Sequence, residues 1–260
     1  SHQRMTLQRY GEMPVNKYRE MDDNRITKGL KVIRREGALI FCYRFMQYIK
    51  RRTLTAITPL AIPLLQGRFT YKGKKLPYFL HKKSLTWTNE RAIEIPIAVD
   101  YIKNSNGERI LEVGAVLPHY YPSIKKEVID KFEKGMGITN TDVLNFSPNE
   151  KYDLIVSIST LEHVGYDDDV KDPDGTLKAI RNLKKCLSNG GKMLVTLPLK
   201  YNKSVDKLLN ENRLGFTEEH YYKRSILNRW KETTKGDAMK VKHDHFRANA
   251  IVVGEINEKR

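Results

Sequence analysis

The sequence predicts an α/β protein: a doubly wound, mostly parallel sheet preceded by a basic helical extension. Three observations lead there. Short apolar runs that read as buried strands (RILEVG from 109, YDLIVSIS from 152, KMLVTLP from 192) alternate with segments of helical period. These strands end in an acidic residue and glycine, a serine, or a proline, so the chain turns sharply at one end of each. Finally, charge is divided unevenly. The formal net charge is +16, yet residues 1–85 hold 19 Lys or Arg against 5 Asp or Glu, while the remaining 175 hold 28 against 26. A basic appendage on an electrostatically ordinary domain suggests docking rather than a uniformly polyanionic substrate. The expected division is a docking region over 1–86 and an α/β domain over 87–260.

Composition narrows the classes. At 260 residues there is room for one α/β domain plus an appendage. A hydrophobic share of 40% excludes global disorder. Cys42 and Cys186 fit no metal spacing and no disulfide framework, so a reducing cytoplasm is the expected setting. No N-terminal run has the layout of a secretion signal.

In the basic third, KGLKVIRREGALIFCYRFMQYIKRR reads as a helix. Leu30, Ile33, Gly37, Phe41, Phe45 and Tyr48 form its apolar stripe, and basic clusters lie at both ends. The apolar TLTAITPLAIPLLQ that follows is expected to break at Pro59 and Pro63. Arg44, Lys50, Arg51 and Arg52 interrupt any run long enough to span a bilayer. Two readings fit: an amphipathic helix packed on the domain, or an interfacial helix meeting anionic lipid through residues 28–83. Nucleic acid is the weaker partner, because basic charge here comes without a binding motif. Residues 68–86 read as a loop or hairpin.

Beyond Trp87, TNERAIEIPIAVDYIKN reads as a helix capped by Thr88 or Asn89 and kinked at Pro96. Strands are expected at RILEVG, at EVID from 127, at 141–144 and at YDLIVSIS. A helix opens at Asp174 and stops at Gly190, KMLVTLP follows as a strand, and HYYKRSILNRWKETT reads as a helix. AMKVKHDHF and ANAIVVGEI read as a final hairpin. Ligands of open parallel sheets sit outside the strands' carboxyl ends. Gly114 there lets a ligand approach the backbone, Asp130 can accept from two ribose hydroxyls, and Asp142 can reach an adenine amino group. For each carboxylate the alternative is a strand end facing solvent.

The ordered series ILEVG, VID, TD, YDLIVSISTLEHV, helix, LSNGGKMLVTLP resembles the class I S-adenosylmethionine-dependent methyltransferases over 87–256. Within that superfamily, the runs from ILEVG through HYYP to VIDKFEKG, and TLEHVG, resemble methyltransferase-like proteins of surface-glycan and polysaccharide biosynthesis. The resemblance implies a seven-stranded Rossmann-like sheet, S-adenosylmethionine as cofactor and S-adenosylhomocysteine as product. It also implies cofactor contacts at Glu112, Gly114, Asp130 and Asp142. One departure is plain: the usual Glu-x-Gly-x-Gly loop is here Glu112-Val113-Gly114-Ala115-Val116, and the crossover to the next strand is near the minimum length. A first helix is therefore short or missing, and Arg91 is the candidate for the lost positive charge at the cofactor's carboxylate.

Methyl transfer to a hydroxyl needs alignment and a base. His163, directly after the fourth strand, is the candidate base, since an unperturbed imidazole, with a pKa of about 6.5, can take a hydroxyl proton at neutral pH. Glu162 is its orienting partner or an adenine contact; alternatively the pair only opens the next helix. Tyr201, Asn202 and His220 are candidates for acceptor contacts. No metal is expected: the acidic loop of Asp167, Asp168, Asp169, Asp172 and Asp174 has Val170 where a calcium ligand belongs. His243 and His245, at alternate positions, would need further ligands to hold zinc. The expected function is O-methylation of a saccharide in a surface glycan or lipid-linked precursor, at the cytoplasmic membrane face. A nucleic-acid methyltransferase and a catalytically inert scaffold of the same fold stand as alternatives.

Overall fold

The computed structural model describes residues 38–105, 107–242 and 247–258. The chain divides into two units, one of residues 1–65 with 80–85 and the other of 66–79 with 86–260. In the first, α1 (Ala38–Leu65) runs on through Pro59 and Pro63, against the expected break. Proline removes one amide donor and crowds the preceding turn. Here both lie in the last two turns, where the helix is ending in any case. Of the expected stripe, Leu30, Ile33 and Gly37 lie outside the described residues.

The second unit holds the sheet. A hairpin of β1 (Arg68–Tyr71) and β2 (Lys74–Pro77) turns on Lys72 and Gly73, both at positive φ, as a two-residue turn between twisted strands demands. Helix α2 (Arg91–Lys103) follows with Pro96 inside it; the Asn89 side chain accepts from the Arg91 amide at 3.1 Å. Then come β3 (Ile110–Val113), β4 (Glu127–Asp130), β5 (Ile138–Asn140), β6 (Tyr152–Ile158), α3 (Gly175–Lys185), β7 (Leu187–Pro198), α4 (Lys203–Asn210), β8 (Glu218–Arg224), β9 (Trp230–Thr233), α5 (Lys235–Ala238) and β10 (Ala250–Asn257).

The main sheet has eight strands in the order β5-β4-β3-β6-β7-β10-β8-β9, not seven. The first five are parallel; β10 runs antiparallel between β7 and β8, and β9 pairs antiparallel at the edge. The sheet is apolar on both faces. Leu154, Val156 and Ile158 of β6 point to the α2 side, with Ile93 and Ile97, whereas Ile155 joins Leu177, Ile180 and Leu183 of α3 on the other. Burial on both faces explains why these strands read as continuous apolar runs.

Four expectations change. The segment from His220 to Thr234 is a strand pair, not a helix: Leu227 and Asn228 sit at positive φ and turn the chain back. Of the expected final hairpin, β10 forms, inserted between β7 and β8, and Ala238 belongs to α5; His243 and His245 lie outside the described residues. Gly190 does not stop α3, which ends at Lys185, but lies inside β7. Tyr152 pairs with Leu187 and Leu154 with Lys192, so the glycines absorb a bulge. The third parallel strand also forms at 138–140, slightly before its expected place.

Candidate functional site

The carboxyl ends of β3, β4, β6 and β7 lie side by side, and the candidate residues gather there. After β3 the chain turns at Gly114, whose φ is +88°. A Cβ at that position would lie 2.1 Å from Thr160 Oγ1, so glycine is required by conformation and by space. The crossover to β4 holds only a 3-10 turn at Leu117–His119, as its length predicts. Glu112, fully buried, accepts from the amides of Val116 (2.9 Å) and Leu117 (2.7 Å) and lies 3.6 Å from Lys126 Nζ. Burial pushes its carboxyl up to about 7, against those amides and the lysine. Glu112 thus braces the loop through one oxygen, while its other oxygen is buried and makes no hydrogen bond.

Asp130 closes β4 beside this turn. One oxygen accepts from the amides of Phe132 (2.8 Å) and Glu133 (2.7 Å), and the other from Ala115 (3.2 Å). The loop and the carboxylate thus hold each other in place, and the half-buried carboxylate keeps lone pairs for further donors. Asp142 instead meets Lys131 Nζ at 2.8 Å, and that ammonium also meets Asp168 at 2.7 Å. Burial raises the Asp142 carboxyl, but Lys131 outweighs it, and its pKa lies below the usual value. Its other oxygen accepts from the Leu144 amide at 3.0 Å.

Arg91 reaches the end of β6, donating to the Ile158 carbonyl at 2.9 Å and to Glu94 at 3.0 Å. Glu94, fully buried, also accepts from Ser159 (2.5 Å) and Thr196 (2.8 Å). Ser159 itself sits at φ +40°, an uncommon conformation for a residue with a side chain. This network pins the ends of β6 and β7 to α2. Neither Glu94 nor Thr196 was legible as a site residue, because a glutamate in an apolar helix and a threonine in an apolar strand carry no local signal.

Beyond β6, the turn Leu161–His163 presents His163. Its Nδ1 lies 2.5 Å from Asp167 Oδ2 and 3.2 Å from the Tyr201 hydroxyl, and that hydroxyl donates to the same Asp167 oxygen at 2.6 Å. The His163 and Tyr201 rings meet edge to face at 5.1 Å, with Tyr166 5.4 Å from Tyr201. Burial raises the Asp167 carboxyl, but the hydrogen bonds of His163 and Tyr201 outweigh it and hold it ionised well into acid. Glu162 Oε1 is 3.5 Å from His163 Nε2. The close orienting carboxylate is therefore Asp167, which the sequence placed in a solvated loop.

Asn202 and His220 change role. Asn202 is buried; its oxygen caps α4 through the amides of Ser204 and Val205, and its amide donates to the Glu162 carbonyl at 2.8 Å. It holds Tyr201 against the His163 turn, with its side chain already spent in capping. His220 lies within the sheet, between Glu218 (2.8 Å) and Glu232 (2.9 Å), not at the carboxyl edge. Glu218, His220 and Glu255 are the one cluster of metal-ligand chemistry among the described residues. The Lys72 ammonium already pairs with both of its carboxylates.

A family model described as a methyltransferase domain matches residues 97–233, more than half of the chain. The chain belongs to the methyltransferase-domain family. No curated protein matches it. Among solved structures, it is similar to the N-methyltransferase NodS from Bradyrhizobium japonicum WM9 in complex with S-adenosylhomocysteine. Identity is 17% and TM-score 0.44, over 66% of this chain and 88% of that one. A possible histamine N-methyltransferase from Thermotoga maritima gives 13% and 0.41, over 63% and 87%. The plantazolicin methyltransferase BpumL, also with S-adenosylhomocysteine, gives 12% and 0.39, over 64% and 82%.

S-adenosylmethionine is the methyl donor of this family. The methyltransferase domain fits its two ends unequally. The nucleoside end has what it needs: a glycine turn that a Cβ would close, and an Asp130 carboxylate locked beside it. The methionine end lacks a helix N-terminus, and the Val116 and Leu117 amides of its loop are held by Glu112. Arg91, the cation expected for that end, is paired with Glu94 at 3.0 Å.

Proposed function

We propose that this chain transfers a methyl group from S-adenosylmethionine to a hydroxyl of a saccharide, within a surface glycan or a phosphate-linked precursor of one. The observation that carries the reading is the His163–Asp167–Tyr201 cluster at the carboxyl edge of the sheet, one turn beyond the Thr160–Gly114 contact. Asp167 accepts the Nδ1 proton of His163, which leaves Nε2 as the nitrogen that takes a proton from an acceptor hydroxyl. The imidazolium so formed is stabilised by the adjacent carboxylate. Bound S-adenosylmethionine supplies an electrophilic methyl on a sulfonium, which departs as a neutral thioether as the new C–O bond forms.

Two features support a phosphate-linked sugar. Tyr166 and Tyr201 place aromatic rings beside the base, side chains of a kind that stacks on the apolar face of a pyranose. An open hollow of about 650 Å³ begins at Lys200, next to Tyr201. Its lining includes Lys203, Lys207, Lys240 and Lys242 as well, against Asp206 and Glu211, a surplus of cations suited to a phosphate or diphosphate.

Calorimetry with S-adenosylhomocysteine comes first, followed by acceptor screening with nucleotide sugars, lipid-linked sugars and the corresponding neutral sugars. The reading expects cofactor binding, turnover on a phosphate-linked hydroxyl acceptor, and loss of turnover in His163→Ala with binding retained. Absence of heat at millimolar ligand overturns the enzymatic reading in favour of an inert member of the family.

A further inference from the structure

Helix α1 turns an apolar stripe outward. At 3.6 residues per turn, positions 42, 46, 49, 53, 56, 57, 60 and 64 share one face. Met46, Ile49 and Ile57 on that face are exposed, Leu60 is 73% exposed and Leu64 82%. Cys42 is exposed on it as well. Thr53 returns its hydroxyl to the Ile49 carbonyl at 3.0 Å and so presents its methyl outward. The less exposed residues, Leu54, Thr58, Ala61 and Leu65, lie on the opposite side of the helix. An amphipathic helix of a water-soluble fold does the reverse.

Charge selects the occupant. Lys50 and Arg52 border the stripe on either side, where long basic side chains can lie along an apolar surface and raise their heads to an anionic layer. The described part of this unit, 38–65 with 80–85, carries Arg44, Lys50, Arg51, Arg52, Lys82 and Lys83 and no Asp or Glu. A second copy of the same face would set these cations against each other with no carboxylate from the described part of the unit between them. A nucleic acid would need the cations, not Met46, Ile49 and Leu60, at the centre of the contact. No described helix is long and apolar enough to cross a membrane. We infer that α1 lies in the plane of a membrane surface rich in anionic lipid, its Cys42–Leu64 stripe among the headgroups and upper acyl chains and its basic flanks against lipid phosphates.

This inference stands apart from methyl transfer and is tested separately, with the full chain. The probes are flotation with phosphatidylcholine vesicles, with and without about 30% phosphatidylglycerol, and an environment-sensitive fluorophore on Cys42, Cys186 being buried. Binding to the anionic vesicles and a blue shift of the fluorophore are expected. Ile49→Glu with Leu60→Glu is expected to lower partitioning at least about tenfold and abolish the shift. Lys50→Glu with Arg52→Glu is expected to lower partitioning comparably, and S-adenosylhomocysteine binding should be unchanged in both variants. Because the substituted side chains are exposed, thermal unfolding should match the parent. The inference is overturned by absence of binding to anionic vesicles, or by binding that the stripe variant leaves intact, which marks bare charge attraction of the kind nucleic acid shares. A stripe-dependent dimer in light scattering that ignores vesicles would overturn it too.

Discussion

Replacing Gly114 with alanine tests the turn on which the nucleoside end of the site depends. Two costs add. A residue with a Cβ at φ +88° loses about 1–2 kcal/mol relative to glycine. The new Cβ also meets Thr160 Oγ1 at 2.1 Å, its Cγ2 at 2.7 Å and its Cβ at 2.8 Å, all inside contact distance. Thr160 donates to the Ile158 carbonyl at 3.0 Å and heads the turn that carries His163, so it has little freedom to retreat. Overpacking of this kind costs about 1–3 kcal/mol. The expected total is about 2–5 kcal/mol in urea unfolding, with S-adenosylhomocysteine affinity lowered at least about tenfold as Ala115 moves off Asp130. Thr160→Ala removes the two nearest atoms but leaves the 2.8 Å contact. In a double-mutant cycle it should therefore recover about 1–2 kcal/mol of the clash and none of the backbone cost. A Gly114→Ala variant within about 0.5 kcal/mol of the parent, or a cycle with no coupling, would refute the packing argument.

Other outcomes follow from the same geometry. His163→Ala should lower turnover about 10²–10⁴-fold, and Asp167→Asn should also lower it and shift the acidic limb of the pH–rate profile; cofactor affinity should hold in both. Asp130→Ala should weaken S-adenosylhomocysteine in calorimetry by about 1–3 kcal/mol and also loosen the 114–116 loop, since three backbone amides lose their acceptor. Glu112 governs a pH dependence of stability. Its carboxyl keeps its proton to about 7 when folded but releases it near the ordinary 4.5 when unfolded. Between those values the folded state binds more protons, so stability should fall by about 3 kcal/mol as pH rises through the window. Glu112→Gln should flatten that slope in denaturation curves taken from acid to neutral pH; an unchanged slope would show that another group is responsible.

Most of the parallel half of the sheet was legible because both faces of its central strands are covered; the exposed edge strand β5 was placed a few residues late. A strand such as YDLIVSI, buried on both sides, must be apolar throughout, and that is visible without knowing its neighbours. The strand-end positions of Gly114 and Asp130 followed from the same runs. The antiparallel half was not legible. In HYYKRSILNRWKETT, aromatic and basic residues fit helix and strand alike, and what decides for strands is β10 lying alongside β8, from about thirty residues further on. Asp167 illustrates the same limit at the site. Within its acidic loop nothing distinguishes it from Asp168 or Asp169, and its partner Tyr201 is 34 residues away.

Taken alone, the sequence determined a doubly wound α/β domain, the order of its strand-end glycine and carboxylates, and the concentration of charge in the first third. These rest on local periodicity and composition, which need no partner to be read. The tertiary structure decided which carboxylate orients His163, that Glu112 braces its loop, that Asn202 and His220 serve the scaffold, and which face of α1 is left to solvent. Each depends on residues distant in the chain brought to one place, and hydrogen bonds and burial are defined only once they have met.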